Sequence, residues 1–256
     1  MFRLWLFLAG LLLVWGCQHP QTDALTIATA ANMQFAMADL TQAFTQTAGI
    51  NCKTILGSSG KLTAQIQSGA PFDLFVSADL NSPQVLDRDG FTLAPPQVYA
   101  YGKLVLWTTV PNLQPSLVAL TEDRVRRIAI ANPRTAPYGA AALAVLNHHK
   151  IYDGVKQKLV RGESIAQVNQ FIQSQAADMG FTAKAVVLSS QLQGQGQWVD
   201  LDPQSYEAIA QAVVVLKAAA STGSGDRSLE AQKFVEFLFS DSGQTILRRY
   251  GYQPGP

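Results

Sequence analysis

The stretch Gly57-Ser58-Ser59-Gly60-Lys61 places two hydroxyls and an ammonium among glycines, where an apolar run gives way to a helical pattern. Three chemistries use such residues: phosphate cradling, nucleophilic serine catalysis, and anion capture by neutral donors. A GxxxxGK[ST] phosphate loop ending at Lys61 would need glycine at 55 and a hydroxyl at 62, where the chain has Ile55 and Leu62. Ser58-x-x-Lys61 matches the nucleophile motif of penicillin-interacting enzymes, but the companion strings SDN and KTG do not occur. An exported serine hydrolase using Ser58 and Lys61 therefore stands only as the enzymatic alternative. His148 and His149 are neighbours on a helical pattern and point about 100° apart, a poor pair of metal ligands and a good solvated helix end. His19 lies in a polar tether, and no nucleophilic triad stands out.

Anion capture gains weight from recurrence. Four strand-to-helix junctions carry small or turn-forming residues: Ala30-Ala31-Asn32, Gly57-Ser58-Ser59-Gly60, Asn132-Pro133-Arg134-Thr135-Ala136-Pro137-Tyr138-Gly139, and Gly162-Glu163-Ser164-Ile165. Each is ordinary as a cap or turn. Helix starts, however, present unpaired N–H groups and a partial positive charge. In open α/β sheets they gather beyond the C-terminal strand ends, where ligands bind, and an anion suits them.

The elements that must position these junctions alternate almost to the chain's end. LTIATA, INCKTIL, DLFVSAD, YGKLVLWTTV, RIAIA, MGFTA and IAQAVVVLKA read as strands. Met33, Met37, Leu40 and Phe44 form one helical stripe closed by Gly49. KLTAQIQSG is a short helix ending at Gly69; the next has Ser82 as its cap, Pro83 in its first turn and Gly90 as its stop. GAAALAVLN, a segment from Tyr152, and a stretch capped by Ser164 with the stripe Ile165, Val168, Phe171 and Ile172 follow, with SLEAQKFVEFLF and SGQTILRRYG last. Such alternation predicts an α/β fold with mainly parallel sheets covered on both faces. The glutamine- and glycine-rich SQLQGQGQ is expected to be a surface loop.

Residues 1–17 are predicted to lie outside the fold. Arg3 precedes the apolar run LWLFLAGLLLVWG, which ends at Cys17, the pattern of a secretory signal cleaved before a cysteine that becomes acylated. No small-x-small site for ordinary cleavage stands out nearby. Two or more acyl chains would make a stable membrane anchor. Without Arg3, 18 basic residues face 18 acidic ones. That balance argues against nucleic acid and anionic membrane surfaces as partners. Cys52, the only other cysteine, has no partner for an internal disulfide and is expected to be buried as a small apolar residue.

LTIATAANMQFAMADLTQAF, GSSGKLTAQIQSGAPFDLFVSAD, ANPRTAPYGAAALAVL and QTILRRYGY, in that order, resemble the periplasmic molybdate-binding proteins, the substrate receptors of molybdate ABC transporters. The resemblance implies a two-lobed type II periplasmic binding fold with two crossover strands at the hinge, YGKLVLWTTV and IAQAVVVLKA. It divides the chain into a signal peptide (1–17), a tether (18–23), lobe I (24–102 and 211–256) and lobe II (103–210). It implies no catalysis and no cofactor, a monomer that binds molybdate or tungstate, and a membrane permease as partner. A receptor for sulfate, thiosulfate or another oxyanion is the alternative on the same fold. Carried over by position, Asn32 supplies a side chain and backbone N–H, Ser59 a hydroxyl with Ser58 beside it, and Tyr138 chiefly its N–H. Ile165 supplies a backbone contact, and Ala31 flanks the first junction. Some members use a late tyrosine where this chain has Ala183, so the resemblance is to the subgroup lacking it.

Overall fold

The computed structural model describes residues 24–220 and 226–255; the predicted signal segment, Cys17 and the tether lie outside that range. Two sheets divide the molecule. The six-stranded sheet is built from β1 (Leu25–Ala30), β2 (Cys52–Gly57), β3 (Leu74–Val76), β4 (Gln97–Gly102), β10 (Ile209–Val215) and β11 (Gln253–Pro254), in the order β11-β4-β10-β3-β1-β2. The five-stranded sheet contains β5 (Leu104–Thr108), β6 (Ile128–Ala131), β7 (Leu159–Gly162), β8 (Met179–Ala183) and β9 (Gln197–Asp200), in the order β7-β6-β8-β5-β9.

Both sheets are mixed rather than mainly parallel. Parallel pairs β1–β2, β1–β3, β6–β7 and β6–β8 form one side of each, and the strands next to the crossings run antiparallel. The chain first crosses between sheets at Lys103, which separates β4 from β5, so YGKLVLWTTV is the junction of two strands. It returns through 201–208, and β10 then lies wholly in the six-stranded sheet. Sequence periodicity missed β7, β9 and β11, whose largely exposed or half-buried residues form no apolar run, unlike the equally short but buried β3 and β6.

The long helices bury the stripes that the spacing predicts. In α1 (Gln34–Ala48), Met37, Leu40 and Phe44 join Phe234 and Leu238 of α8 (Ser228–Phe239) on one face of the six-stranded sheet. The helix stops at Gly49, whose φ of 70° is left-handed. On the opposite face, Leu62 and Ile66 of α2 (Ser59–Gln67) pack with Phe75 and with Leu86 of α3 (Asn81–Arg88). The five-stranded sheet is covered by α4 (Pro137–His148) and α6 (Ile165–Gln173), which contribute Val145, Leu146, Val168 and Ile172 to a core that also takes in Ala31 and Ala78 of the other unit. Ser82 is not the cap of α3: the Asp79 carboxylate accepts the Ser82 N–H at 2.7 Å, and the Ser82 hydroxyl donates to it as well. Cys52 is half-buried on β2, where burial pushes its thiol up to about 12. No helix among the described residues is long and apolar enough to cross a membrane.

Candidate oxyanion site

A small cavity, about 10 Å³ of space for the centre of a water molecule, lies where the two units meet. That is near the minimum for one water. The six-stranded unit lines it with Ala31, Asn32, Ser58, Ser59 and Ala78. The five-stranded unit contributes Ala136, Pro137, Tyr138 and Ile165. All four predicted junctions thus converge on one place, and none of the described residues lining it carries a charge.

The local chain geometry explains the convergence. The 3₁₀ turn Ala31–Met33 follows β1 directly and runs into α1. Ser58 precedes α2, Ala136 precedes α4 with Pro137 at its first position, and Ser164 precedes α6. Asn32, Ser59, Tyr138 and Ile165 consequently occupy first turns, whose N–H groups have no carbonyl within their own helix. Their partial positive charges add at the cavity.

The hydroxyls are arranged as donors. Serine in a cap position ordinarily accepts from the helix's own N–H groups; Ser58 and Ser164 make no such bond. The Ser58 Oγ is buried without a partner among the described residues, a costly arrangement unless a ligand supplies one. Ser59 Oγ accepts from Ala78 N–H at 3.0 Å and from Ser77 Oγ at 3.1 Å, so its own proton is left to donate.

Two contacts join the units beside the cavity. Gly60 N–H donates to Thr135 O at 2.9 Å. A Cβ at Gly60 would stand 3.1 Å from that oxygen and from the Thr135 Cα, so glycine permits the approach. Lys61 forms an ion pair with Glu163 across the same boundary, with 49% and 59% of their side chains exposed. Lys61 is therefore neither a cavity group nor a base for Ser58. His148 and His149 lie at the exposed end of α4, and no cluster of metal-ligating residues is found among the described residues. Ala183 is buried at the end of β8, away from the cavity lining.

Beneath the cavity lies a polar network absent from the sequence-based expectation. Asn32, 2% exposed, donates from Nδ2 to Gln211 Oε1 at 2.9 Å and to Tyr252 Oη at 3.1 Å. Tyr99 Oη also donates to Gln211 Oε1 at 2.9 Å, and Gln211 Nε2 donates to Tyr138 Oη at 3.1 Å. Gln211 faces Tyr99 because the β4–β10 register shifts between Gln211 and Ala212, and such bulges re-aim side chains. Gly102 makes room for the assembly: a Cβ there would collide with Tyr138 Oη and Gln211 Nε2. Burial holds the phenols of Tyr99, Tyr138 and Tyr252 well above the usual tyrosine range, so all three are neutral donors and acceptors. The signal that could have revealed Gln211 is a lone polar residue inside the apolar run IAQAVVV.

The model of the family described as bacterial extracellular solute-binding protein matches residues 25–253. The chain belongs to that family. It is 36% identical over 235 residues to the molybdate-binding protein ModA of Azotobacter vinelandii, covering 91% of this chain and 90% of that one. It is 35% identical over 246 residues to the ModA of Rhodobacter capsulatus, covering 95% and 94%. The solved periplasmic molybdate-binding protein of Azotobacter vinelandii superposes with a TM-score of 0.84 at 33% identity, over 91% of this chain and all of that chain. The two-sheet architecture is thus that of the two-lobed binding proteins, and the family places the protein among extracytoplasmic transport receptors.

Proposed function

We propose that this receptor captures molybdate, and tungstate with it, between its two lobes and delivers it to the membrane permease of an ABC transporter. The observation that carries the reading is the uncharged cavity at which four chain junctions converge, with an unpartnered buried Ser58 hydroxyl. The relatives bearing the molybdate-binding name cover nearly the whole chain and support the same ligand. Lobe I comprises 24–102 and the chain from Ile209 onward, two residues earlier than the sequence-based bound of 211 because β10 begins there, and lobe II lies between. An acylated Cys17, outside the described residues, tethers the mature chain, a monomer, to a membrane.

In this reading the backbone N–H groups of Asn32, Ser59, Tyr138 and Ile165 and the hydroxyls of Ser58 and Ser59 replace the anion's hydration shell, with Ala31 closing the wall. A hydrogen bond to a charged group contributes about 1.5–3 kcal/mol. Six such donors give roughly 9–18 kcal/mol gross, and submicromolar affinity needs a little over about 8 kcal/mol net. The surplus covers ordering and desolvation losses. Backbone and hydroxyl donors suit a fully deprotonated dianion, all of whose oxygens accept. Sulfate is smaller and leaves donors underfilled, which is costly in a buried site.

A thermal-shift panel of molybdate, tungstate, sulfate, phosphate and chromate on the mature protein tests the assignment, since a ligand bound only by the native state raises the melting point. Molybdate and tungstate should each raise it, with sulfate and phosphate inert at the same concentration. Stabilisation by sulfate alone would replace molybdate with the smaller oxyanion as substrate.

A further inference from the structure

The walls of the cavity belong to different units of the chain, so its width depends on how closely those units approach. Selection by size therefore needs a stop. If the walls could follow a smaller anion inward, none of its donors would be left underfilled.

One stop is backbone: Gly60 N–H meets Thr135 O at 2.9 Å across the boundary. The other is a side chain. Tyr138 stands at the cavity wall in the first turn of α4, and its buried ring runs into the six-stranded unit. Its Oη lies 3.1 Å from the Gln211 carboxamide, a bond that a hydroxyl makes with either end of an amide. It also rests on the backbone of Gly102, where a Cβ would collide with it. Ile209 of β10 pairs with Gly102, so the ring ends where the two crossings of the chain meet.

Neither end of the ring has room to give. At its base, a Cβ at Gly139 would collide with Ala131 O, so α4 starts in backbone contact with the end of β6. At its tip, Gly102 admits the same closeness. A close-packed column thus runs from β6 through the first turn of α4 and the phenol to β4. Its one side-chain member is a rigid ring with two rotatable bonds.

We propose that Tyr138 determines specificity as a spacer: the length of its side chain, beyond any contact made by its N–H, fixes the gap between the cavity walls and keeps the site from contracting onto sulfate. The inference rests on the oxyanion reading above. It differs from a bond that only favours the closed form. A shift in the open–closed equilibrium changes the competent fraction and multiplies every ligand's affinity by one factor. A change in the gap reorders ligands by size.

The test compares the mature protein with Tyr138→Phe, which removes the tip of the spacer, and Tyr138→Leu, which removes most of the ring. Titration calorimetry gives the affinities for sodium molybdate and sodium tungstate, and sulfate is measured by competition against molybdate. The molybdate-to-sulfate affinity ratio should fall at least threefold in Tyr138→Phe and at least tenfold in Tyr138→Leu. The molybdate-to-tungstate ratio, for two ions of nearly one size, should stay within twofold. Thermal melts of the ligand-free variants check folding, and Tyr138→Phe alone decides if Tyr138→Leu does not melt cooperatively. Weakening of all three anions by one factor, or sulfate that still fails to compete in a folded variant, would overturn the proposal and leave the oxyanion reading standing. No molybdate response in the unsubstituted protein would overturn that reading and this proposal with it.

Discussion

Replacing Ser58 by alanine separates the ligand's contribution from that of the fold. The Ser58 Oγ is buried and makes no hydrogen bond among the described residues, so the substitution removes none. In the closed form without an anion this hydroxyl is desolvated and unpaired, a penalty of about 1–3 kcal/mol. In an open form water satisfies it. Ser58→Ala should therefore favour the closed form of the ligand-free protein by about 1–3 kcal/mol while deleting one charge-assisted bond to the anion. The lost bond, about 1.5–3 kcal/mol, lowers affinity roughly 10- to 150-fold at about 1.4 kcal/mol per decade. Titration calorimetry measures the second effect, and small-angle scattering of the ligand-free protein measures the first as a smaller radius of gyration. Wild-type affinity in Ser58→Ala would remove this hydroxyl from the site. An unchanged or larger radius would show that its burial does not oppose closure.

Three further expectations follow from the same geometry. Lys61→Met should retain binding to within about fivefold, because an exposed ion pair contributes roughly 0.2–1 kcal/mol; a hundredfold loss in calorimetry would mean that a cation acts on the anion. Gly102→Ala, whose Cβ collides with Tyr138 Oη and Gln211 Nε2, should break the lobe-to-lobe bond and lower both the melting temperature and molybdate affinity, and a neutral result in both assays would refute the packing. The raised phenols of Tyr99, Tyr138 and Tyr252 stay protonated in the folded state while their unfolded counterparts ionise near pH 10, so stability falls as pH rises above that value. These three groups alone give a limiting slope of about 4 kcal/mol per pH unit; urea unfolding from pH 9 to 11 should fall at least that steeply, and Tyr138→Phe should lower the slope by about 1.4 kcal/mol per pH unit.

The sequence disclosed the scaffold well and the site's depth poorly. Met33, Met37, Leu40 and Phe44 announce α1 because one face of a helix must be apolar to be buried, and all four are buried. Gly49 marks its end because the left-handed turn there favours a residue without a side chain. The four junctions were visible for a similar reason: tight turns from strand to helix restrict residue type. Strands β9 and β11 left no trace, since short edge segments with exposed residues carry no periodicity. The parallel expectation failed at β4, β5 and β10 because antiparallel pairing there follows from how the chain crosses between sheets, a non-local property. Gln211 and Tyr99 escaped for the same cause. Their meeting depends on a register shift between strands more than a hundred positions apart in the chain, and nothing local encodes it. Ser82 was misread because Asp79, three residues upstream, is the stronger acceptor.

The absence of charged side chains from the described cavity lining has a consequence for the transport cycle. Amide and hydroxyl protons do not titrate between pH 5 and 9, so on the proposed reading the receptor's grip is constant over that range and varies only with the charge state of its cargo. Whatever draws the two halves apart can unload the ion without collecting a proton or a counter-ion, and the binding protein returns to the next round chemically unchanged.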